Sequence, residues 1–245
     1  MIKAAILFLI LGVCGSGLAN ASELFEKDVI KTVAGNLEIT FIGHGSLMMK
    51  FGGKIVHVDP YIKLADYARL PKADIAFITH EHQDHLDLAA LKQVTTAKTV
   101  IVLTTKCAEK VTAGIIMKNG DSKVIEGISV EAVPAYNIAH KRDNGQPFHP
   151  KGDGNGYVLT FADKRIYIAG DTENVPEMSL LKQIDIAFLP MNLPYTMTPE
   201  MVADATGSFR PKVIYPYHFG ETDTAKLATL LKDNRDIEVR IRRMK

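Results

Sequence analysis

Tryptophan is absent from this 245-residue chain, and cysteine occurs only twice, at Cys14 and Cys107. Two cysteines cannot build a dense cross-linked framework, so the fold must rest on a hydrophobic core. Charge of one sign is missing as well, because 29 basic residues face 28 acidic ones. That balance removes the basic footprint by which a chain tracks nucleic acid, and no nucleic-acid partner is expected. The basic group Arg240, Arg242, Arg243 and Lys245 is too short to change this and reads as solvated surface. Beyond residue 21 no apolar run is long enough to span a bilayer, so no transmembrane segment is expected there. No period of repeat-protein length is visible. What remains, with 47% hydrophobic and 23% charged residues, is ordinary globular composition.

Residues 1–21 read as a secretory leader rather than as part of the fold. Lys3 gives a positive start, Ala4 to Cys14 is an unbroken apolar run, and Ala19-Asn20-Ala21 is a small-x-small cleavage site. Cleavage there would leave a chain starting at Ser22. Only Lys3 would be lost among charged residues, leaving 28 basic against 28 acidic. An exported location, periplasmic or secreted, is therefore expected. Leu11-Gly12-Val13-Cys14 offers an alternative, a lipid anchor on Cys14. Cys107 has no partner once Cys14 is removed and reads as a small buried hydrophobe.

The remainder, 22–245, carries no long linker and is expected to form one domain. Strand patterns fall at Leu37 to Phe51, broken at Gly43-His44-Gly45, and at Lys54 to Asp59, Ala73 to Thr79, Thr99 to Leu103 and Ile128 to Ala135. Tyr157 to Phe161 and Arg165 to Ala169 flank the turn Ala162-Asp163-Lys164, a hairpin signal. Asp185 to Leu189 and Val213 to Tyr217 are further apolar runs. Helical patterns cover Thr198 to Ser208, with Thr198 as cap and Pro199 in the first turn, and Glu221 to Asp233, opened by Gly220 with Thr222 or Thr224. Strands in both halves with helices late in each predict a sheet sandwich covered by helices. The Gly-rich stretch Asn137 to Asn155 reads as a functional loop.

The strongest chemical signal is Thr79-His80-Glu81-His82-Gln83-Asp84-His85, which follows a buried-looking strand. Neutral imidazoles and carboxylates are ligands for zinc and similar divalent ions. In extended chain, His80 and His82 point the same way and can hold one ion together. Asp84 and His85, where the chain turns, can address a second. His57, inside an alternating strand, reads as a satisfied structural histidine. Lys151 and Asp153 read as loop solvation.

This motif resembles the signature of the metallo-β-lactamase superfamily, and the chain supplies that family's other elements in order over about residues 37 to 220. The resemblance implies an α/β four-layer αββα sandwich. Asp59, ending Ile55-Val56-His57-Val58-Asp59, matches an aspartate that supports the metal ligands from behind. Gly170-Asp171-Thr172 matches the aspartate that bridges two metals, and His218 matches the last histidine. The third histidine of the first site is expected at His149, because Phe148-His149-Pro150-Lys151-Gly152 is similar to the segment of a lactonase-like branch; His140 is the alternative. The resemblance thus implies one ion on His80, His82 and His149, a second on Asp84, His85 and His218, and Asp171 between them. Zinc is the default, with manganese or iron able to suit the same donors.

The implied activity is metal-dependent hydrolysis of a small-molecule substrate. A water held between the ions would attack, with Asp84 orienting it or carrying its proton. Asp171 stands where many true β-lactamases of this fold carry cysteine, which disfavours antibiotics. His82 stands where the oxygen-reducing di-iron branch carries glutamate, which disfavours redox chemistry. Gly43-His44-Gly45-Ser46, the Phe148 loop and Tyr195-Thr196-Met197 look like the branch containing ascorbate-6-phosphate lactonase and N-acylphosphatidylethanolamine phospholipase D. That implies a lactone, ester or phosphodiester, with His44 and Tyr195 as pocket residues. Two other functions are carried forward: a metal-binding protein of this fold without catalysis, and a β-lactam hydrolase.

Overall fold

The computed structural model describes residues 25–244, so the expected leader and Cys14 lie outside the described residues. Two seven-stranded sheets stack face to face. The first takes β1 (Glu26–Thr32), β2 (Gly35–Gly43), β3 (Ser46–Phe51), β4 (Lys54–Val58), β5 (Ile75–Phe77), β6 (Val100–Leu103) and β7 (Ile115–Ile116) in sequence order. The second takes β8 (Ser122–Ile125), β9 (Ile128–Ala135), β10 (Gly154–Phe161), β11 (Lys164–Ile168), β12 (Ile186–Pro190), β13 (Val213–Tyr217) and β14 (Glu238–Val239), again in sequence order. Each sheet begins with four antiparallel strands and ends with three parallel ones, so the same topology is written twice.

Strand alternation decides what faces what. Val56, Val58, Ile75 and Phe77 point between the sheets, where they meet Ile186, Phe188, Tyr215 and Tyr217. Their neighbours Ala76 and Ile78 point outward, onto α1 (Leu88–Val94). Ala187, Leu189 and Ile214 do the same beneath α2 (Pro199–Phe209) and α3 (Thr224–Leu230). The result is helix, sheet, sheet, helix, the four-layer αββα sandwich that the sequence predicts.

Element boundaries differ from the sequence reading where local chemistry is stronger than pattern. α2 starts as expected, with Thr198 accepting a hydrogen bond from the Met201 amide (3.1 Å) and Pro199 in the first turn. α3 is shorter than Glu221 to Asp233, because Asp223 caps it through the Ala225 amide (3.0 Å) rather than Gly220 with a threonine. α1 was not expected; at seven residues it is too short for a helical period to stand out, and its mark is Asp87, which accepts from the Ala89 and Ala90 amides. β1 was also not expected. It is an edge strand of charged, half-exposed residues and has no apolar pattern to read. It is held by a clasp. Asp28 takes both Arg242 Nη2 contacts (2.9 and 2.8 Å), bonds the Tyr215 hydroxyl, and Arg240 Nη1 donates to that hydroxyl (3.1 Å). Among the described residues no helix is long and apolar enough to cross a membrane. Cys107 is buried, as read.

His57 is fully buried beneath the first sheet. Its Nε2 bonds the Pro71 carbonyl (2.9 Å), but Nδ1 has no hydrogen-bond partner, so it is only half satisfied. Burial, partly offset by that bond, pushes its pKa down to about 4. The folded state therefore resists a proton that the unfolded chain accepts near pH 6.5. Stability from this source is whole above that pH and is lost as pH falls toward 4, by up to about 3 kcal/mol. Urea unfolding should show an acid limb over this window that is shallower in His57→Gln. An identical limb in the variant would move the effect elsewhere.

Candidate metal centre

Every parallel strand that matters delivers a site residue just past its carboxyl end. Asp59 follows β4, Thr79 to His85 follow β5, Asp171 follows β11, Asn192 and Tyr195 follow β12, and His218 follows β13. This is where open parallel sheets generally place ligands. His44 comes from the β2–β3 turn and His149 from the long β9–β10 loop. The backbone is contorted to do this. His44, Asp59 and His218 all adopt left-handed φ values (50°, 43° and 46°), which side chains of their kind visit at a cost. Two glycines make room. A Cβ on Gly45 would sit 2.8 Å from His85 Cε1, and one on Gly170 would sit 2.9 Å from the Asn155 carbonyl oxygen, with φ already +65°.

Three sets of donor atoms converge. His80, His82 and His149 form one; His44, Asp84, His85 and His218 form another; His80, His85 and Asp171 link them. His82 Nδ1 lies 3.1 Å from His80 Nε2 and 3.2 Å from His149 Nε2. Asp171 sits at the seam, with Oδ2 3.3 Å from His149 Nε2 and 3.4 Å from His218 Nε2, and Oδ1 3.4 Å from His85 Nε2. Asp84 Oδ2 faces His44 Nε2 at 3.0 Å and His218 Nε2 at 3.5 Å. His140 is elsewhere, bonded to Glu173 (2.7 Å), so of the two candidates for the third histidine it is His149 that joins the cluster. His44, expected only as a pocket residue, reaches the second set itself.

At the centre, His85 Nε2, Asp171 Oδ1 and both ring nitrogens of His218 are buried without hydrogen-bond partners. Buried polar atoms are ordinarily paired. Partnerless imidazole nitrogens facing a carboxylate are the arrangement that a divalent cation satisfies, and the donor set suits one. The charge states agree. Burial lowers the basicity of His80, with the charge of His85 adding to it, and burial likewise lowers His82 and His44, which favours neutral, ligand-ready rings. His85 is the exception: although burial disfavours its charge, Asp171 and Asp59 raise its pKa to about 10, so a cation would have to take the place of its Nε2 proton. Asp84 and Asp171 stay ionised against burial, Asp84 through the facing His218 and a hydrogen bond from His44, and Asp171 through the nearby His218 and His85.

The family model of the beta-lactamase superfamily domain matches residues 38–218, which span all of these groups. The chain belongs to the β-lactamase superfamily. Relatives sharpen this to its metal-dependent hydrolases. The UPF0173 metal-dependent hydrolase of Pelotomaculum thermopropionicum is 29% identical over 84% of this chain and 96% of its own length. A crystal structure from Parabacteroides distasonis, assigned as a metal-dependent hydrolase, is 48% identical with a TM-score of 0.86, covering 90% of this chain and all of that one. The metallo hydrolase Igni18 of Ignicoccus hospitalis shares the fold at 24% identity, with a TM-score of 0.70 over 85% of this chain and 96% of its own. The chain is thus a metal-dependent hydrolase with a His/Asp cluster able to bind metal.

Within this superfamily site, supporting residues fix three of the rings, those of His80, His85 and His149. Asp59, fully buried, accepts from the Thr79 amide (2.8 Å), the Thr79 hydroxyl (2.6 Å) and His85 Nδ1 (2.8 Å). Because the Thr79 hydroxyl donates to Asp59, it is left to accept a hydrogen bond from His80 Nδ1, 3.1 Å away. Both rings are thereby left with Nε2 free to face the centre. Two supporting residues escaped the sequence reading. Asn137 Oδ1 accepts from the His149 amide (2.8 Å) and Nδ1 (2.7 Å), while its Nδ2 donates to Glu173 (3.0 Å) and the Tyr195 carbonyl (2.9 Å). Glu173, 1% exposed, also accepts from the amides of Ile138, Ala139 and His140 at 2.7 to 2.8 Å. Although burial opposes its charge, these backbone hydrogen bonds hold its pKa below the usual value. The available signal was Asp171-Thr172-Glu173, a second acid beside the first. Asn137→Ala should free the His149 ring and weaken metal affinity by roughly 10- to 100-fold in a chelator competition. Unchanged affinity would show that His149 needs no such support.

Proposed function

We propose that this chain is an exported hydrolase that uses two divalent ions, zinc first among them, to cleave a small ester, lactone or phosphodiester. The observation that carries the reading is the set of partnerless His85, Asp171 and His218 atoms beside a cavity of about 490 Å³, the size of a small-molecule site. His80, His82 and His149 would hold one ion, Asp84, His85 and His218 the other, and Asp171 both. Bound there, the ions supply Lewis acidity and acidify a water toward neutral pH.

The chain's own residues do the rest. Asp84 lines the cavity and is half-buried, so its carboxylate can orient a water and take up its proton. His44 Nε2 steadies that carboxylate, and its ring lies tilted against that of His218, ring centres 3.7 Å apart. Phe148 and Tyr195 form an apolar wall, edge to face at 5.1 Å, against which a substrate can lie. Tyr195 is half-exposed, and its backbone is tied to the Asn192 carbonyl and the Asn137 side-chain amide (both 2.9 Å). Asn192, on the same rim, is a further polar contact. The lactonase-like branch remains the source of the bond classes, and Asp171 in place of cysteine supports them over β-lactams.

Elemental analysis of the purified protein should give about two ions per chain, and fewer in Asp171→Ala. The loaded protein should turn over at least one of 4-nitrophenyl acetate, a γ-lactone and bis(4-nitrophenyl) phosphate, and leave a chromogenic cephalosporin intact. Absence of metal after reloading would sink the reading. Full loading without turnover would favour a metal-binding protein, and cephalosporin cleavage a β-lactamase. Export is tested by intact mass, which should begin at Ser22.

A further inference from the structure

The cavity beside the metal centre has one Lys or Arg side chain in its lining, Arg142. It sits on a small hairpin whose backbone is tied twice, Arg142 N to the Gln146 carbonyl and Gly145 N to the Arg142 carbonyl, both 2.8 Å, beside the bridge between Lys141 and Pro147. Its guanidinium lies over the Phe148 ring, 5.0 Å from the centroid, and Nη2 donates to the Phe148 carbonyl (3.2 Å). Among the described residues Arg142 makes no ion pair. A guanidinium has five N–H donors, so about four are uncommitted here.

The acids that also line the cavity, Asp84 and Asp171, are engaged with histidines of the metal cluster. None is left to neutralise Arg142. The series Arg142, Phe148, Tyr195, guanidinium over ring and ring edge to face with ring, therefore makes one wall with a positive fork at its edge. Phe148 is the residue before His149, so this wall joins the metal cluster directly. A planar fork with free parallel N–H groups matches a carboxylate or phosphate.

We propose that Arg142 is a specificity-determining residue, and that the substrate carries a carboxylate or phosphate group separate from the bond that is cleaved. This rests on the hydrolase reading of the same pocket. A neutral substrate would leave the fork unused, whereas an anionic one bridges metal centre and rim.

Two probe pairs test it. In kinetics, 4-nitrophenyl hydrogen glutarate carries a distal carboxylate and 4-nitrophenyl acetate does not. In calorimetry on the zinc-loaded protein, glutarate brings a second carboxylate for the guanidinium, while acetate has only one carboxylate. Arg142→Ala should lower kcat/KM for the charged ester roughly tenfold more than for the neutral one, chiefly through KM. It should weaken glutarate roughly tenfold more than acetate. Arg142→Lys should keep part of the preference, and Arg142→Glu should reverse it. Equal effects on both members of each pair would overturn the proposal. If neither ester is turned over, the calorimetric difference still decides it, so failure of hydrolysis and failure of anion recognition are separate results.

Discussion

The site depends first on one buried carboxylate. Asp59 has no access to water, and a polar group so placed is tolerable only when its oxygens are bonded throughout. Its bonds to Thr79 and His85 meet that demand and at the same time determine the architecture. They pin the loop after β5 against the end of β4, hold the His85 ring by its Nδ1, and use the Thr79 hydroxyl to hold His80 in the same way. One side chain thus orients two rings, one in each ligand set.

The second sheet solves the same problem with different atoms. Glu173 gathers the backbone of Ile138 to His140, and Asn137 passes that order to His149. Asp171, two residues before Glu173, reaches into the centre from the same turn. The duplicated topology brings the two supports to one seam, because the carboxyl ends of both parallel triplets open onto it. Neither sheet holds a complete donor set alone.

How legible this was in the sequence depended on how local the signal is. The His80 to His85 run is contiguous and stood out. Asp59, Asp171 and His218 each end an apolar strand, and the superfamily resemblance was needed to connect them. His149 against His140 could not be settled from spacing, since what separates them is a hydrogen bond to Asn137 in one case and to Glu173 in the other. Glu173 and Asn137 were invisible because their partners are backbone amides brought close only by folding. Among the elements, long buried strands were readable, while β1 and α1 were not. β1 is defined by Asp28 meeting Arg242 across the whole chain, and α1 by a cap and three buried side chains.

The clasp on β1 also has a bearing on time. Asp28 and Arg242 lie 214 residues apart. At about 5 to 20 residues per second, synthesis separates their appearance by roughly 10 to 40 s. For that interval the edge strand has its neighbour β2 but not the arginines that neutralise its acid, and the Tyr215 hydroxyl also arrives late. The nascent first half therefore carries an open, charged margin that resists pairing with another chain. Closure of that margin needs residues that are made well after most of the histidines and aspartates of the cluster.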